Sequence, residues 1–214
     1  MDLQDELSTG AGYCRGMTTP AEVERIFRDA GAFREGHFLL SSGKHSPMYL
    51  EKFWVLQWPS QTARLCAAIA ERARELGAAT VAGPTTGGII LAHEVARQLD
   101  ARAVYAEREE GRPGRVFRRG FQIASGERVL VVDDIMTTGG SVHETIDAVR
   151  ASGGAVVGAA VLVDRSGGRA ALGVPLQALW SLDVPTYAAA DCPLCARGVP
   201  LTRPGTTPTE AVRA

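Results

Sequence analysis

Two adjacent aspartates followed by hydroxyl and glycine residues form the segment of this chain most suited to chemistry. Asp133 and Asp134 stand at the end of the apolar run 129–132, and the sequence Thr-Thr-Gly-Gly-Ser follows at 137–141. Such an apolar run predicts a strand buried on both faces, as in a parallel sheet. Two neighbouring carboxylates repel each other, so a purely structural turn has no need of them. We therefore expect a ligand at this acid loop, defined as residues 133–141.

The composition of the acid loop indicates which ligand it suits. The amphipathic stretch 141–151 predicts a helix, whose first turn gathers unpaired N–H groups that favour phosphate. Gly139 and Gly140 let the backbone approach that phosphate closely. The two carboxylates would repel phosphate but suit ribose hydroxyls, or water bound to Mg²⁺. The pattern predicts a sugar phosphate with its ring over the acids and its 5′-phosphate in the loop.

Three other segments are expected at the same sheet edge. Residues 83–88, the glycine loop, lie between strand 80–82 and a helix, where they could bind pyrophosphate or form a plain turn. Residues 107–120, the lid, are charged and contain glycine, which fits a mobile cover or a solvated hairpin. Arg165 follows another strand and could pair with a carboxylate. The arginines of the lid are Arg108, Arg112, Arg115, Arg118 and Arg119.

Composition narrows the class of protein. The chain has 214 residues, 45% hydrophobic content and a net charge of −1, which suits one α/β domain, with or without a small appendage. Strand and helix patterns alternate, which predicts a parallel sheet with helices on both sides. We expect no nucleic-acid partner, because no long basic run is present, and no membrane span. Residues 1–16 do not read as a secretory signal, so the expected location is cytoplasmic.

The cysteines and histidines give no clear site in the sequence. Cys192 and Cys195 have metal-ligand spacing, but no second pair accompanies them, so a zinc site within one chain is not expected. A redox pair is a possibility, although the motif does not open a helix after a thioredoxin-like strand. His37 and His45 have no partner at metal or triad spacing. Cys66 falls in an apolar helix pattern and is interpreted as a packed thiol.

The acid loop resembles the phosphoribosyl-pyrophosphate signature of the type I phosphoribosyltransferases: two hydrophobic residues, paired acids, two variable residues, then Thr-Thr-Gly-Gly-Ser. From 31 to 205 the chain is similar to the orotate phosphoribosyltransferases. Segment 36–47 resembles their base-binding hairpin, 81–90 their pyrophosphate loop, 163–165 the strand end whose arginine holds orotate, and 192–201 the tail of one branch.

The resemblance implies an α/β fold: a type I phosphoribosyltransferase-like open parallel sheet flanked by helices, with a small N-terminal hood at about residues 31–58. The expected organisation is a flexible start at 1–18, one domain over 19–205 and a flexible tail at 206–214. The implied reaction joins orotate to phosphoribosyl pyrophosphate, giving orotidine 5′-monophosphate and pyrophosphate in pyrimidine synthesis. The resemblance also implies Mg²⁺ as cofactor, and a homodimer that shares its lid.

Carried over by motif, the resemblance assigns roles to individual residues. The catalytic set is Asp133, Asp134 and Arg108. The set expected to bind phosphoribosyl pyrophosphate is Asp133, Asp134, Ile135, Met136, Thr137, Thr138, Gly139, Gly140, Ser141, Thr85, Thr86, Gly87 and Arg108. Orotate would contact Thr137 and Arg165. Direct metal ligation by protein is not expected, since Mg²⁺ would be held by substrate and water near the two aspartates.

Two departures from the family pattern leave questions open. Ser41 stands where the family hairpin commonly has lysine, and neither Lys44 nor Lys52 aligns with that position. The lid has Glu107-Arg108 in place of an Arg-Lys pair, which leaves the general acid unassigned. Transfer to a purine or to uracil is an alternative, against which Arg165 argues. A ligand-sensing regulator is another, although the residues before Pro20 are too few for a DNA-binding appendage.

Overall fold

The computed structural model describes residues 18–40 and 42–204. The helices are α1 (Pro20–Asp29), α2 (Phe53–Leu56), α3 (Pro59–Ala73), α4 (Gly87–Leu99), α5 (Gly140–Ala151) and α6 (Pro193–Ala196). The strands are β1 (Phe33–Leu39), β2 (His45–Leu50), β3 (Thr80–Pro84), β4 (Arg102–Glu107), β5 (Val116–Phe117), β6 (Arg128–Met136), β7 (Ala155–Asp164) and β8 (Leu176–Ser181). Expectations for 1–17 and 205–214 fall outside the described residues.

The central sheet has the order β5-β4-β3-β6-β7-β8. β4, β3, β6, β7 and β8 run parallel, and β5 pairs antiparallel with β4 at the edge. Alternate residues of β6 enter two separate cores: Leu130 packs in the one shared by α1, α3 and α4, and Val131 in the one shared by α5. The predicted open parallel sheet with helices on both faces is confirmed.

Local signals set the helix bounds. Thr19 caps α1 and exchanges hydrogen bonds with Glu22 in a capping box, while Pro20 occupies the first turn. α3 begins at Pro59 as predicted, and its continuation as a 3₁₀ turn ends at Gly77, whose φ of +56° is left-handed. Thr18, placed within the flexible start by the sequence, accepts a hydrogen bond at its carbonyl from Arg72 Nη2 at 3.0 Å.

The hood is an antiparallel β1–β2 hairpin whose strands are shifted from those expected. Apolar and turn patterns in this part of the sequence predict strands at 36–41 and 48–53; both bounds are wrong, because Phe33 already pairs with Leu50 and the chain turns into α2 after residue 52. The C-terminal segment also contributes, since Phe38 bridges Thr202 and His45 bridges Tyr187. The hood is therefore built from both ends of the domain.

The stem of the lid is a hairpin, one of the two forms that the sequence left open for this segment. Ala106 pairs with Phe117 and Glu107 with Val116 across β4 and β5. The hairpin fixes where the tip of the lid begins and carries its arginines over the edge of the sheet.

Candidate functional site

The predicted segments meet at the carboxyl edge of the sheet. Met136 pairs with Asp164 in the β6–β7 register, and the Arg165 amide donates to the Met136 carbonyl at 2.7 Å. On the other side, the Thr85 amide donates to the Ala106 carbonyl at 3.0 Å, which places the glycine loop beside the lid stem. The parallel register therefore brings the acid loop, the glycine loop, the lid and Arg165 to one face, as ligand sites of such sheets require.

The two aspartates lie buried at the end of β6 with different partners. Asp133 is 5% exposed, and its carboxylate accepts from the Asp134 amide at 2.9 Å and from the Ser141 hydroxyl at 2.6 Å. Asp134 is 1% exposed and accepts from the Ile135 amide at 2.6 Å through Oδ1. Its Oδ2 has no hydrogen-bond partner among the described residues. That oxygen is buried against Gly87, so a ligand hydroxyl or metal-bound water would reach it only if the glycine loop moved.

Burial changes the acidity of this pair. Loss of water raises the pKa of Asp133 to about 6, and the neighbouring Asp134 carboxylate contributes to the rise. The Ser141 hydroxyl and the Asp134 amide oppose that rise by donating to the ionised form. Such a carboxylate gains by accepting hydrogen bonds from ligand hydroxyls, since they replace part of its lost hydration.

Lys52 is a site residue that the sequence raised only as a candidate replacement for the hairpin lysine, at a position that does not align with Ser41. Its Nζ lies 3.0 Å from Asp134 Oδ1, and its side chain is about one-third exposed. It directly precedes α2, so the turn from the hood into that helix carries the ammonium to the acid loop. Ser41, which stands where the family hairpin commonly has lysine, lies outside the described residues. Lys52 nevertheless supplies a hood cation to the site.

The glycine loop packs directly against the acid loop. A Cβ placed on Gly87 would fall 3.0 Å from Asp134 Cγ and overlap the carboxylate, so the position requires glycine. α4 begins at Gly87 with Thr86 before it, and no side chain of the described residues caps that helix. The loop therefore presents backbone N–H groups next to the acids, as an anion site would.

Residues 137–141 form the turn that the sequence predicts. Gly139 has a φ of +83°, a conformation that glycine favours, and α5 begins at the next residue. Thr137 and Thr138 are exposed and accessible to a ligand. Ser141 differs from expectation, because its hydroxyl proton is directed to Asp133 rather than outward. A phosphate here would rely on the open amides of the first turn and on the two threonines.

The lid arginines divide between the site and the solvent. Arg108, predicted to be catalytic, is well exposed and pairs with Glu144 of α5 at 2.7 Å. Arg115 is 8% exposed in its side chain, donates to the Thr85 hydroxyl at 2.9 Å and lies 3.2 Å from Glu144. Its burial makes Arg115 the lid arginine most firmly placed beside the glycine loop. Arg119 instead pairs with Glu107 on the lid stem at 3.1 Å.

Arg165 is a half-buried cation facing the hood. Burial lowers the pKa of its guanidinium, and its Nε is buried with no hydrogen-bond partner among the described residues. Tyr49 of β2 lies near enough to interact electrostatically with it, and burial raises the pKa of that phenol. A desolvated guanidinium with an unpaired N–H is a site for a planar anion such as a carboxylate.

The interpretation that Cys192 and Cys195 lack further ligands is wrong. His37 Nε2 lies 3.5 Å from Cys192 Sγ, and His45 Nδ1 lies 3.3 Å from Cys195 Sγ. No spacing pattern could reveal this cluster, because the histidines precede the cysteines by about 150 residues (Cys195 and His45 are 150 apart). Cys66 is a packed thiol as predicted, fully buried in α3, with its pKa raised to about 12 by burial.

The sequence of this chain is similar to those of known proteins. The phosphoribosyl transferase domain family matches residues 56–172. The orotate phosphoribosyltransferase of Pelotomaculum thermopropionicum is 50% identical over 187 residues, covering 87% of this chain and 97% of that one. That of Desulforamulus reducens is 49% identical over 184 residues, covering 86% and 95%.

A solved structure agrees with the sequence relatives. The orotate phosphoribosyltransferase of Aeropyrum pernix superimposes with a TM-score of 0.64 at 30% identity, covering 75% of this chain and 93% of that one.

Within residues 18–40 and 42–204, no helix is both long and apolar enough to cross a bilayer.

Proposed function

The chain belongs to the orotate phosphoribosyltransferase family, and we propose that the site at the carboxyl edge of its sheet transfers phosphoribosyl from phosphoribosyl pyrophosphate to orotate. The products are orotidine 5′-monophosphate and pyrophosphate, in the synthesis of UMP. The observation that carries the assignment to this site is the buried Asp133–Asp134 pair, set between an open helix start and the half-buried Arg165.

The acid loop is suited to hold the phosphoribosyl group. The buried Asp133–Asp134 pair is suited to accept hydrogen bonds from ribose hydroxyls once the glycine loop moves off Asp134 Oδ2, and the first turn of α5 receives the 5′-phosphate. Exchange of pyrophosphate for a ring nitrogen at C1′ passes through a ribose with oxocarbenium character. Two carboxylates beneath that ring stabilise the positive charge as it develops.

The glycine loop and the lid are suited to the leaving pyrophosphate. Arg115 already contacts the Thr85 hydroxyl, and Arg108 lies on the same hairpin beside Glu144. Their positive charge stabilises the negative charge that grows on the leaving group. Arginine remains protonated, so these residues act by charge and hydrogen bonding rather than as general acids.

Mg²⁺ fits the donor set beside the acid loop. Two buried carboxylates are present: Lys52 pairs with Oδ1 of Asp134, and Oδ2, buried against Gly87, has no hydrogen-bond partner among the described residues. Held through water and substrate oxygens, the ion would neutralise pyrophosphate charge. Removal of divalent metal with EDTA should abolish turnover, and added Mg²⁺ should restore it.

Arg165 is suited to select the base. A half-buried guanidinium that lacks an Nε partner in the described structure gains from a bidentate carboxylate, which orotate has and purines and uracil lack. A base without a carboxylate would leave the buried guanidinium unpaired, which costs binding free energy. The site therefore favours orotate both by attracting its carboxylate and by binding neutral bases poorly.

A competition assay tests the base assignment. Purified protein with phosphoribosyl pyrophosphate and Mg²⁺ is offered orotate, hypoxanthine, adenine and uracil in equal amounts, and nucleotide products are separated by chromatography. Orotidine 5′-monophosphate should dominate. Preference for any base without a carboxylate would refute the role given to Arg165.

We further propose a cytoplasmic homodimer. The side chains of Phe53, Trp54 and Trp58 are 41%, 43% and 56% exposed, and Ile90 of α4 is 37% exposed. Phe53 and Trp54 belong to α2, Trp58 directly precedes α3 and Ile90 lies on α4, and burying these apolar groups against a second copy would remove them from water. Light scattering should give twice the chain mass. Trp58→Glu should shift the mass toward the monomer, and a monomeric wild-type protein would refute the dimer.

A further inference from the structure

We propose that His37, His45, Cys192 and Cys195 form a structural zinc site that fastens the C-terminal segment to the hood. Their ligand atoms all lie within 4.8 Å of one another, although the two histidines and the two cysteines come from opposite ends of the domain. The site is separate from the acid loop and does not depend on the proposed reaction.

The distances within the cluster match tetrahedral coordination. Zinc bonds of about 2.0–2.1 Å to nitrogen and about 2.3 Å to sulfur place tetrahedral donors roughly 3.3–3.8 Å apart. His37 Nε2 lies 3.5 Å from Cys192 Sγ and 3.7 Å from Cys195 Sγ. His45 Nδ1 lies 3.3 Å from Cys195 Sγ and 2.9 Å from His37 Nε2. Small movements of the histidine rings would complete the tetrahedron.

The surroundings orient one histidine for metal binding. His37 Nδ1 lies 2.8 Å from the Val199 carbonyl, to which it can only donate. That hydrogen bond places the proton on Nδ1 and leaves the Nε2 lone pair directed at the cluster, as in known histidine–metal sites. The partner carbonyl belongs to the same C-terminal segment as the cysteines, so one segment supplies both the ligands and the orienting contact.

Burial and ligand number favour a structural role and favour zinc. His37, His45 and Cys192 are 2%, 5% and 3% exposed, and Cys195 lies at the surface. Four protein ligands leave no open position for substrate, which is typical of structural rather than catalytic zinc. Two thiolates with two imidazoles suit Zn²⁺ better than Mg²⁺, which prefers oxygen ligands.

The backbone around the cluster shows what the metal would fasten. His45 and Tyr187 exchange both backbone hydrogen bonds at 2.9 Å, and the Thr202 amide donates to the His37 carbonyl at 2.7 Å. The cysteines lie between these two contacts, at the start and within the single turn of α6. A metal bond across so long a chain separation would stabilise the hood and, through β2, the position of Tyr49.

Metal analysis of purified protein tests the site. Protein expressed with zinc supplied should carry about one zinc per chain by plasma mass spectrometry. Cys192→Ser should lose that zinc, whereas Cys66→Ala, which removes a thiol buried in α3, should retain it. Circular dichroism of each variant establishes that it is folded.

Cobalt substitution tests the ligand set without relying on a disruptive variant. Co²⁺ added to metal-free wild-type protein should give the intense visible bands of tetrahedral Co²⁺ and a thiolate charge-transfer band. Cys195→His, which exchanges a thiolate for an imidazole, should keep the visible bands and roughly halve the charge-transfer intensity. Absence of zinc and of tetrahedral cobalt bands in folded wild-type protein would overturn the proposal, as would a Cys192–Cys195 disulfide in protein purified under reducing conditions.

Discussion

The acid loop and the hood face each other across the site but are built in opposite ways. The acid loop is one stretch of chain, residues 133–141, in which the two acids lie in the last part of β6 and a short turn leads into α5. The hood combines a hairpin near the start of the domain with a segment beyond Tyr187, joined by few backbone bonds and the His–Cys cluster. The carboxylates of the acid loop are thus positioned by local packing, while the position of the hood depends on contacts between distant segments.

The difference predicts how each region responds to change. Substitutions in the acid loop should alter catalysis with little loss of stability, because the carboxylates are themselves costly to bury. Substitutions that affect the hood should alter orotate binding, stability or both, since its parts are held by long-range contacts. Four variants test this expected difference between the two regions.

The largest effect is expected from Asp134→Asn. Asparagine keeps the shape but removes the charge that faces the ribose and pairs with Lys52, so kcat/KM should fall by about 10²–10³-fold while the fold is retained. The matched control is Asp147→Asn, an exposed aspartate on α5, which should behave like wild type. Near wild-type turnover in Asp134→Asn would contradict the role assigned to the acid loop.

Arg165→Lys tests the base-binding part of the site, where Arg165 faces the hood. Lysine keeps a positive charge but loses the planar fork, so the KM for orotate should rise by about 10–100-fold, with a smaller change in the KM for phosphoribosyl pyrophosphate. Steady-state kinetics in both substrates measure the split. Arg169→Lys, on an exposed neighbour, is the control. A purely kcat effect would mean that Arg165 does not bind the base.

Asp133→Asn should stabilise the protein while damaging its activity. The pKa of Asp133 is raised to about 6 in the folded state, so the unfolded chain ionises first and wild-type stability falls as pH rises from about 4 to 6. Above that window the variant escapes the penalty and should gain about 1–3 kcal/mol in the free energy of unfolding.

Urea unfolding at pH 5 and pH 8 measures this effect. The gain of Asp133→Asn over wild type should be larger at pH 8 than at pH 5, because ionisation of the wild-type carboxyl is incomplete at the lower pH. Equal gains at both pH values, or a loss at pH 8, would show that burial of this carboxylate is not a cost to the fold.

The smallest effect is expected from Glu144→Gln. Glu144 pairs with Arg108 and Arg115 and so competes with pyrophosphate for the lid. Arg108 is largely exposed and its pair with Glu144 contributes up to about 1 kcal/mol, so freeing Arg108 should lower the KM for phosphoribosyl pyrophosphate by at most about fivefold. Glu110→Gln, an exposed change at the tip of the lid, should leave KM unaltered. An increased KM in Glu144→Gln would indicate that this carboxylate organises the lid for binding.

The sequence predicted the acid loop well because its signals are local. Apolar periodicity located the first part of β6, and the acids in its last part are adjacent in the chain to the hydroxyls and glycines that follow, so their meeting required no knowledge of tertiary structure. The parallel sheet then brought the glycine loop and Arg165 to the same edge. The individual binding roles of these residues stay predictions until variants are measured.

The remaining features could not be read from the sequence because they depend on contacts between distant segments. Lys52 meets Asp134 across 82 residues, by way of the turn into α2. His37 meets Cys192 across 155 residues, through the pairing of the C-terminal segment with the hood. No spacing rule spans such separations, and the burial of Arg115 depends on the β4–β5 register.

Calorimetry on wild-type protein and Arg165→Met tests the division of labour most directly. Phosphoribosyl pyrophosphate with Mg²⁺ and, separately, orotidine 5′-monophosphate are titrated into each. The substitution should leave the affinity for phosphoribosyl pyrophosphate unchanged, because that ligand contacts the acid loop, the glycine loop and the lid. It should weaken the binding of orotidine 5′-monophosphate by about 10–100-fold, because the base of the nucleotide also reaches Arg165. Equal weakening of both ligands, or of neither, would contradict the account.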